Sequence, residues 1–468
     1  MIKMSFYSPL LKLKVGIFYH SCPHNQSDGF NSCDPNEIAT KLRELGTKAV
    51  VIVGKYDEEH LKIYKEAILR SGLNPLLVRI VDSSWGESAI ESNKIILENA
   101  WTAEMAKIEE KTLPASRREV ILGKLPIVKE RIDKPVYIED MCQGLYRACT
   151  LCEESCPYNA LKVDKKTGII IDYDKCTGCG LCASSCPLSA IQFPSVSQVA
   201  LFELSKAKGD KTISCYKDNK NSIKLPCVLM LSAEDIILLR KSGKLNLVCN
   251  GCELSKDISK IKDIVSQIND KIGGISFVYP EGKIEAKDSK NISIQFNYLS
   301  NKNEARKEIL SYEKDLPLYY EVSINENSCT LCESCAKWCP TSAITLKRSK
   351  EDEIFEFDPD KCIGCKICVN VCPEGNNCSG PKAIKVEKIE KSSKKILIRD
   401  YLVRCKVCGA PVGSRRSLNL VKKMMKERGA ECDDEWLERC PKHRAEYAFQ
   451  QRFGMTAKFK PRKFGEQA

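Results

Sequence analysis

The chain has 468 residues, 74 Lys and Arg against 62 Asp and Glu, a formal charge of +12, and 27 cysteines beside only four histidines. That length allows several domains, and so many cysteines in a long chain with no secretory leader expected argue against a small disulfide scaffold. No apolar run reaches the length of a membrane span, and the formal charge counts all 27 cysteines as neutral, so that metal-bound thiolates would lower it, which weakens a nucleic-acid reading.

Residues 13–110 read as an α/β domain. Lys14–Tyr19, Lys48–Val53 and Pro75–Val81 are short apolar runs of strand length. Amphipathic stretches at Asp34–Leu45, Asp57–Ser71 and Glu87–Glu110 alternate with them and predict helices. Asp34 with Glu37 fits a capping box at the first helix. Cys22 and Cys33, with His20 and His24 flanking Cys22, fall in the loop after the first strand. Such loops hold ligands in parallel sheets, so this group is either a metal corner or a set of unligated side chains.

Residues 113–135 carry Pro114, Pro126 and Pro135 with little periodicity and read as a linker. Cysteine spacing then takes over. Cys176, Cys179, Cys182 and Cys186-Pro187 form C-x2-C-x2-C-x3-C-P, in which three thiolates wrap one cube and the fourth crosses to its neighbour. The half before it is irregular: Cys149, Cys152 and Cys156-Pro157 are in phase, but the first position is Tyr146. Cys142 is the candidate replacement, since a longer loop closes at small entropic cost. The expected sets are Cys142, Cys149, Cys152 and Cys186 for one cluster, and Cys176, Cys179, Cys182 and Cys156 for the other. The alternative is a three-iron or labile cluster with Cys142 free.

Residues 195–316 read as a second α/β region. Strands are expected at Lys211–Cys215, Lys244–Cys249, Ile275–Tyr279 and Ile292–Leu299, and helices from Ser232, over Glu253–Ile268 and over Lys302–Glu313. Cys215, Cys227, Cys249 and Cys252 then gather where strands meet helix starts, in the ligand crevice of an open sheet. They are candidate ligands of a further cluster or metal, or else four buried reduced thiols.

Two regular halves follow. Cys329, Cys332, Cys335 and Cys339-Pro340, then Cys362, Cys365, Cys368 and Cys372-Pro373, repeat the same motif. The crossing rule assigns Cys329, Cys332, Cys335 and Cys372 to one cube and Cys362, Cys365, Cys368 and Cys339 to its neighbour. Zinc sites use paired C-x2-C units and do not require a third cysteine at the same step with a trailing proline, repeated twice. Beyond a Lys/Ser-rich joint at Lys388–Lys395, Cys405-x2-Cys408 and Cys440-x2-His443 fit a tetrahedral zinc site around an amphipathic helix at Leu418–Arg428. Cys432 is an alternative ligand there, a cluster is an alternative to zinc, and Cys378 has no assigned role. The basic stretch Lys458–Lys463 reads as a disordered tail.

The strand Lys14-Val-Gly-Ile-Phe18 before Cys22, the run Gly72-Leu-Asn-Pro-Leu-Leu-Val-Arg79, the pair Ser84-Trp85 and the dicluster motifs resemble heterodisulfide reductase A-like proteins and polyferredoxins. The resemblance implies a subunit that passes electrons within a larger redox complex. It also implies a flavin domain, and here the sequence departs, because no G-x-G-x-x-G follows any candidate strand. No FAD or NAD site is therefore expected.

The expected fold is multidomain α+β and α/β, with two dicluster ferredoxin-like modules preceded and separated by open-sheet α/β domains. Its parts are an α/β domain (1–112), a linker (113–135), module 1 (136–194), a cysteine-containing α/β domain (195–316), module 2 (317–390) and a zinc-ribbon-like segment with a basic tail (391–468). The expected function is electron relay through about four [4Fe-4S] clusters. The expected partners are other redox subunits of heterodisulfide-reductase-like, hydrogenase or dehydrogenase type, in the cytoplasm, with no nucleic acid and no membrane span. The alternative is an oxidoreductase with its own substrate site at an extra cluster in the middle domain. Against it, no convergent acid, base or nucleophile set is visible, and no P-loop or zinc-protease motif occurs. Clusters serving only as staples are a third reading, which two adjacent cubes per module argue against.

Overall fold

A computed structural model describes residues 13–20, 32–74, 77–100, 134–142, 148–164, 168–216, 218, 222–252, 257–326, 328–376, 383–389, 391–429 and 434–454. Its contacts divide the chain into two units, Met1–Leu145 with Thr150–Leu318, and Tyr146–Cys149 with Tyr319–Ala468.

In the first unit, strands β1 (Val15–Tyr19), β2 (Ala49–Gly54) and β3 (Val78–Asp82) form a parallel sheet in that order. All six residues of β2 are buried, as expected of a parallel strand covered on both faces. Phe18, Val50 and Ile52 pack with Ile38, Leu42 and Tyr64 of helices α1 (Pro35–Glu44) and α2 (Glu58–Ser71). Val51, Val53 and Val81 pack on the other face with Leu97 of α3 (Glu87–Glu98). Asp34 caps α1 through the amide of Asn36 (2.9 Å) and not through that of Glu37. The expected longer third helix ends at Glu98, with Asn99 and Ala100 already outside it, and residues 101–110 and most of the linker lie outside the described residues.

The same unit holds module 1 apart from Tyr146–Cys149. Strands β4 (Val136–Tyr137) and β7 (Ile191–Gln192) pair antiparallel around the hairpin β5 (Leu161–Asp164) and β6 (Gly168–Ile171). Beyond it lies a five-stranded sheet of order β12-β11-β10-β8-β9. Here β8 (Lys211–Cys215), β9 (Ile223–Leu225), β10 (Leu245–Val248) and β11 (Ile275–Tyr279) are parallel, and β12 (Gly282–Ile284) is an antiparallel edge. The helix Ala233–Arg240 opens on a capping box of Ser232 and Asp235, and the helix Lys302–Tyr312 on Asn301.

Two expectations fail in this sheet. Ile292–Leu299 is not a strand, although Ile294 and Leu299 are buried. Its carbonyls accept from lysines instead of a neighbouring strand: Lys241 Nζ reaches Ile294 O at 3.1 Å and Lys206 Nζ reaches Asn297 O at 2.6 Å. The helix expected from Glu253 begins at Ser259, so Cys249 and Cys252 stand in the turn before it and not at its first residues.

The second unit repeats the module topology. Strands β13 (Tyr319–Ile324) and β16 (Ile384–Ile389) pair antiparallel around the hairpin β14 (Ile344–Arg348) and β15 (Asp352–Phe357). The long strand β17 (Lys395–Arg404) extends that hairpin's sheet and passes it on to β18 (Pro411–Ser414). Ile398 of β17 is buried with Phe355, Phe357, Cys362 and Cys368, so the last segment shares a core with the cysteine-bearing loops. Among the described residues no helix is long and apolar enough to cross a membrane.

Candidate metal centres

The second module shows how the chain shapes a cluster site. Cys329, Cys332, Cys335 and Cys372 line one cavity, with ≈ 340 Å³ of space not filled by atoms, its open side included. Cys339, Cys362, Cys365 and Cys368 line another of ≈ 330 Å³. The walls are otherwise largely apolar, including Ile324, Phe355 and Ile384 at the first and Val322, Ile344 and Val386 at the second. Thiols gathered there resist ionisation. Burial, then the charges of Cys329, Cys332 and Cys372, pushes Cys335 up to about 12. Burial likewise pushes Cys365 up to about 12, against the amide of Ile367, with Cys149, Cys362 and Cys339 adding to the rise. Such a set becomes anionic once a metal supplies the opposing charge.

The backbone is cut to the same purpose. Leu331 (φ 52°) and Glu333 (φ 67°) flank Cys332 in the left-handed region, and Gly364 (φ 66°) and Lys366 (φ 55°) flank Cys365. In module 1, Gly178 (φ 72°) and Gly180 (φ 81°) flank Cys179. Alternating right- and left-handed residues turn successive amides into a concave nest for an anion. Leu331, Glu333 and Lys366 hold this conformation without glycine's freedom, at a cost on the order of 1 kcal/mol each. After the crossing cysteines the phase repeats: Asn159, Ser189 and Ser342 are left-handed. The next amides, of Ala160, Ala190 and Ala343, donate to Cys156, Cys186 and Cys339 Sγ at 3.3, 3.2 and 3.2 Å.

In module 1, the charges of Cys176 and Cys156 act on Cys179, and those of Cys179, Cys176, Cys152 and Cys156 on Cys182. For the irregular set, Cys142 acts on Cys186, and both Cys142 and Cys152 act on the Tyr137 phenol, which burial pushes up first. Ala148 (φ 60°) immediately precedes Cys149, so the left-handed phase before a second cysteine is kept although the first has moved to Cys142. Thr150 (φ −120°) does not continue it. By its contacts Cys149 belongs with the second unit, where Asn370 Nδ2 donates to Ala148 O at 2.7 Å.

Two buried hydroxyls stand at the candidate ligands, Tyr137 Oη beside Cys142 and Thr177 Oγ1 beside Cys179. Cations that spacing does not reveal also lie near: Lys302 by Cys186, Lys134 by Cys176 and Arg416 by Cys329. Lys302 is buried, donates to Ala183 O at 2.5 Å and stands 3.7 Å from Asp235.

The last segment builds a tighter site. The ligand atoms of Cys405, Cys408, Cys440 and His443 all lie within 4.8 Å of one another. Cys408 and Cys440 Sγ are 3.8 Å apart, and His443 Nδ1 is 3.1 Å from Cys440 Sγ and 3.4 Å from Cys405 Sγ. Thiolates about 2.3 Å from a tetrahedral zinc stand at about this spacing, so the set fits one metal ion. The first pair sits on a knuckle between β17 and β18, closed by Gly409 N donating to Cys405 O (2.8 Å). The second pair opens the helix Pro441–Phe453. Burial raises the Cys405 thiol, but the amides of Cys440, Cys408 and Val407 and the His443 ring together hold it down at about 6. Among the described residues the buried core beside it is Val403, Leu418 and Leu437, with Val412 and Trp436 packed against it, which leaves folding work for a metal.

Cys215, Cys227, Cys249 and Cys252 come to the carboxyl ends of adjacent strands of the five-stranded sheet. Among the described residues the group near β1 offers no metal corner. Cys33 is disulfide-bonded, and both His20 nitrogens are engaged, Nδ1 with Tyr64 Oη (2.8 Å) and Nε2 with Ser32 O (2.9 Å). Cys22, His24, Cys378, Cys432 and Lys458–Lys463 lie outside the described residues.

Residues 147–190 and 328–376 match the 4Fe-4S dicluster domain family. The chain is 40% identical over 50 residues to pyruvate synthase subunit PorD of Methanocaldococcus jannaschii, covering 11% of this chain and 55% of that one. It is 30% identical over 78 residues to NADH-quinone oxidoreductase subunit I 2 of Symbiobacterium thermophilum, covering 15% and 32%. It is 42% identical over 50 residues to one polypeptide of the anaerobic dimethyl sulfoxide reductase of Escherichia coli, covering 10% and 23%. The match thus spans about half or less of the length of these relatives. Their names are those of redox-enzyme components, and the shared stretches are of dicluster length. Two segments of this chain are thus similar to 4Fe-4S dicluster domains.

Proposed function

We propose that the protein is an iron–sulfur electron-transfer subunit of a larger redox complex, relaying electrons through four [4Fe-4S] clusters. The cubes would be held by Cys142, Cys149, Cys152 and Cys186; by Cys156, Cys176, Cys179 and Cys182; by Cys329, Cys332, Cys335 and Cys372; and by Cys339, Cys362, Cys365 and Cys368. The observation that carries the reading is the alternating left-handed backbone around Cys179, Cys332 and Cys365 (Gly178 and Gly180, Leu331 and Glu333, Gly364 and Lys366), kept in part by Ala148 before Cys149, which makes anion cradles where spacing asks for clusters. When bound, the cubes supply one-electron chemistry. The chain's own residues hold them, keep water from their buried sides and set their potential through amide–sulfur bonds and nearby cations.

Cys405, Cys408, Cys440 and His443 serve as a structural zinc site in this reading. The α/β domains dock partners, and the six sequence segments from the first α/β domain to the basic tail are its working parts. The resemblance of the amino-terminal runs to heterodisulfide reductase A-like proteins favours partners of that kind, with hydrogenase or dehydrogenase subunits as the wider class, in the cytoplasm. Anaerobic reconstitution followed by iron and sulfide analysis tests this: about 16 irons are expected in the two modules, four per cube. One empty module would overturn it. Co-purification of the native protein identifies the partners.

A further inference from the structure

The sheet register of the middle domain brings four cysteines together without any help from the ferredoxin motif. Cys215 ends β8 and pairs with Leu225 of β9, and Cys227 follows two residues later. On the other side of β8, Ser214 pairs with Val248 of β10, so the next residue of that strand, Cys249, emerges beside Cys215. All three strands are parallel, so the three cysteines leave the sheet at one edge. Cys249-Asn250-Gly251-Cys252 then turns back on Gly251 at φ 85°. This is the Cys-x-Gly-Cys knuckle of Cys176–Cys179 and Cys362–Cys365, whose glycines have φ 72° and 66°.

Three further features resemble the ferredoxin sites. Cys227 and Cys249 are buried, 6% and 7% exposed. Each thiol takes the amide two residues on, from Leu229 and Gly251, as Cys176 does from Gly178 and Cys365 from Ile367. The charges of Cys215 and Cys249 reach Cys227, and those of Cys215 and Cys252 reach Cys249. A buried cation stands by: Lys224 Nζ donates to Ser214 Oγ (3.0 Å) and Ser222 Oγ (2.7 Å) and lies 3.5 Å from Asp218, which also accepts from Asn250 in the knuckle. Among the described residues, only the group at Cys405 brings three or more ligand atoms within 4.8 Å of one another. The middle sulfurs are not gathered that tightly.

Module 1 is next to this site. Cys179 is among the thiolates whose charge reaches Cys227. Gly180 lies against Met230 at the end of the 3-10 turn Val228–Met230 that follows Cys227.

We propose that Cys215, Cys227, Cys249 and Cys252 hold a fifth iron–sulfur centre, in electron exchange with the module 1 cluster that includes Cys179. One electron passes between the two, one centre being oxidised as the other is reduced. The exchange rests on the cluster reading of module 1, whereas the occupancy of the middle site does not. The middle domain is then part of the relay, an entry or exit point for electrons.

The test uses the whole chain, reconstituted without oxygen, as parent and as the Cys249→Ser/Cys252→Ser variant. Iron and acid-labile sulfide are counted, and the dithionite-reduced protein is examined by electron paramagnetic resonance. The variant is expected to lose iron and sulfide in equal number, two for a dinuclear centre or four for a cube. It is also expected to lose the magnetic coupling on one module 1 signal, with the module clusters retained. Unchanged iron, or loss of zinc in place of iron, overturns the proposal. Should the variant fail to fold, thiol alkylation of the reconstituted parent decides, by peptide mass spectrometry. Protection of all four cysteines until the iron is chelated supports the centre, and modification before chelation overturns it. A filled middle site with an empty module 1 would defeat the four-cluster reading and the exchange while leaving the centre; full modules with an unprotected middle site would do the reverse.

Discussion

Gly180 lies so close to Met230 that a Cβ on the glycine would stand 2.5 Å from Met230 Cβ and 2.9 Å from its Cα. The backbone there is left-handed, at φ 81°. Cluster loop and middle domain are therefore packed without room for one methyl group. Gly180→Ala should cost about 1–3 kcal/mol from overpacking, with backbone strain in addition. Gly46→Ala meets the strain alone, because nothing lies within 4 Å of its Cβ position. Thermal melts of both variants, with iron retention as a second readout, should show the larger loss at Gly180. Equal losses would mean that the contact is slack.

Cys142→Ser should remove or convert one cluster of module 1, with a fall of up to about four irons per chain, and leave module 2 intact. The charges of Cys142 on Cys186 and Tyr137 motivate this. Spectra matching the parent would make Cys142 a bystander.

Lys302→Met should lower the potential of the centre that includes Cys186. The buried ammonium favours the more negative, reduced state, so its loss makes reduction harder. A shift on the order of 50 mV is expected, about 1 kcal/mol for one electron. A redox titration reads it directly, and an upward shift would contradict the assignment.

Lys211 predicts a pH effect away from any metal. Burial, aided by Lys241, lowers it to about 8, below its ordinary 10.5. Between those values more protons are bound in the unfolded state than in the folded one, so stability should rise with pH across the window. Lys211→Met should flatten that rise, by an amount on the order of 1 kcal/mol, in denaturant melts at pH values of about 7.5 and 10.

The grouping of the module 2 cysteines was the most legible part of this chain. Spacing alone groups Cys329, Cys332, Cys335 and Cys372, and those four line one cavity. The reason is local: three ligands per half lie within one turn of chain, and the fourth is fixed by the crossing rule. Lys302 was not legible, since it is 116 residues from Cys186 in sequence and reaches it only through the packing of its helix. The segment Ile292–Leu299 misled because alternating apolar residues read as a strand, whereas lysine ammonium groups take two of its carbonyls. Cys249 and Cys252 were placed on a helix start that lies further on, at Ser259, yet strand register still brings them to the sheet edge. The pair Ser84-Trp85 carried only a resemblance in sequence. In the fold Trp85 packs tilted against Tyr56 at 4.9 Å between ring centroids, and Lys224 lies 5.9 Å from both rings.

Metal analysis of the reconstituted whole protein should find one zinc that Cys440→Ser releases, with the iron count unchanged. The close approach of Cys408, Cys440 and His443 motivates this, and iron at that site, or no metal with the fold retained, would reject it.

The most direct measurement is a reductive titration of the anaerobically reconstituted protein, with iron and acid-labile sulfide counted on the same sample. Four clusters in two modules predict about 16 irons, with about two or four more from the middle centre, matching sulfide and at least about four electrons taken up per molecule, one for each cube. Iron near eight with about two electrons would leave one module empty and contradict the account.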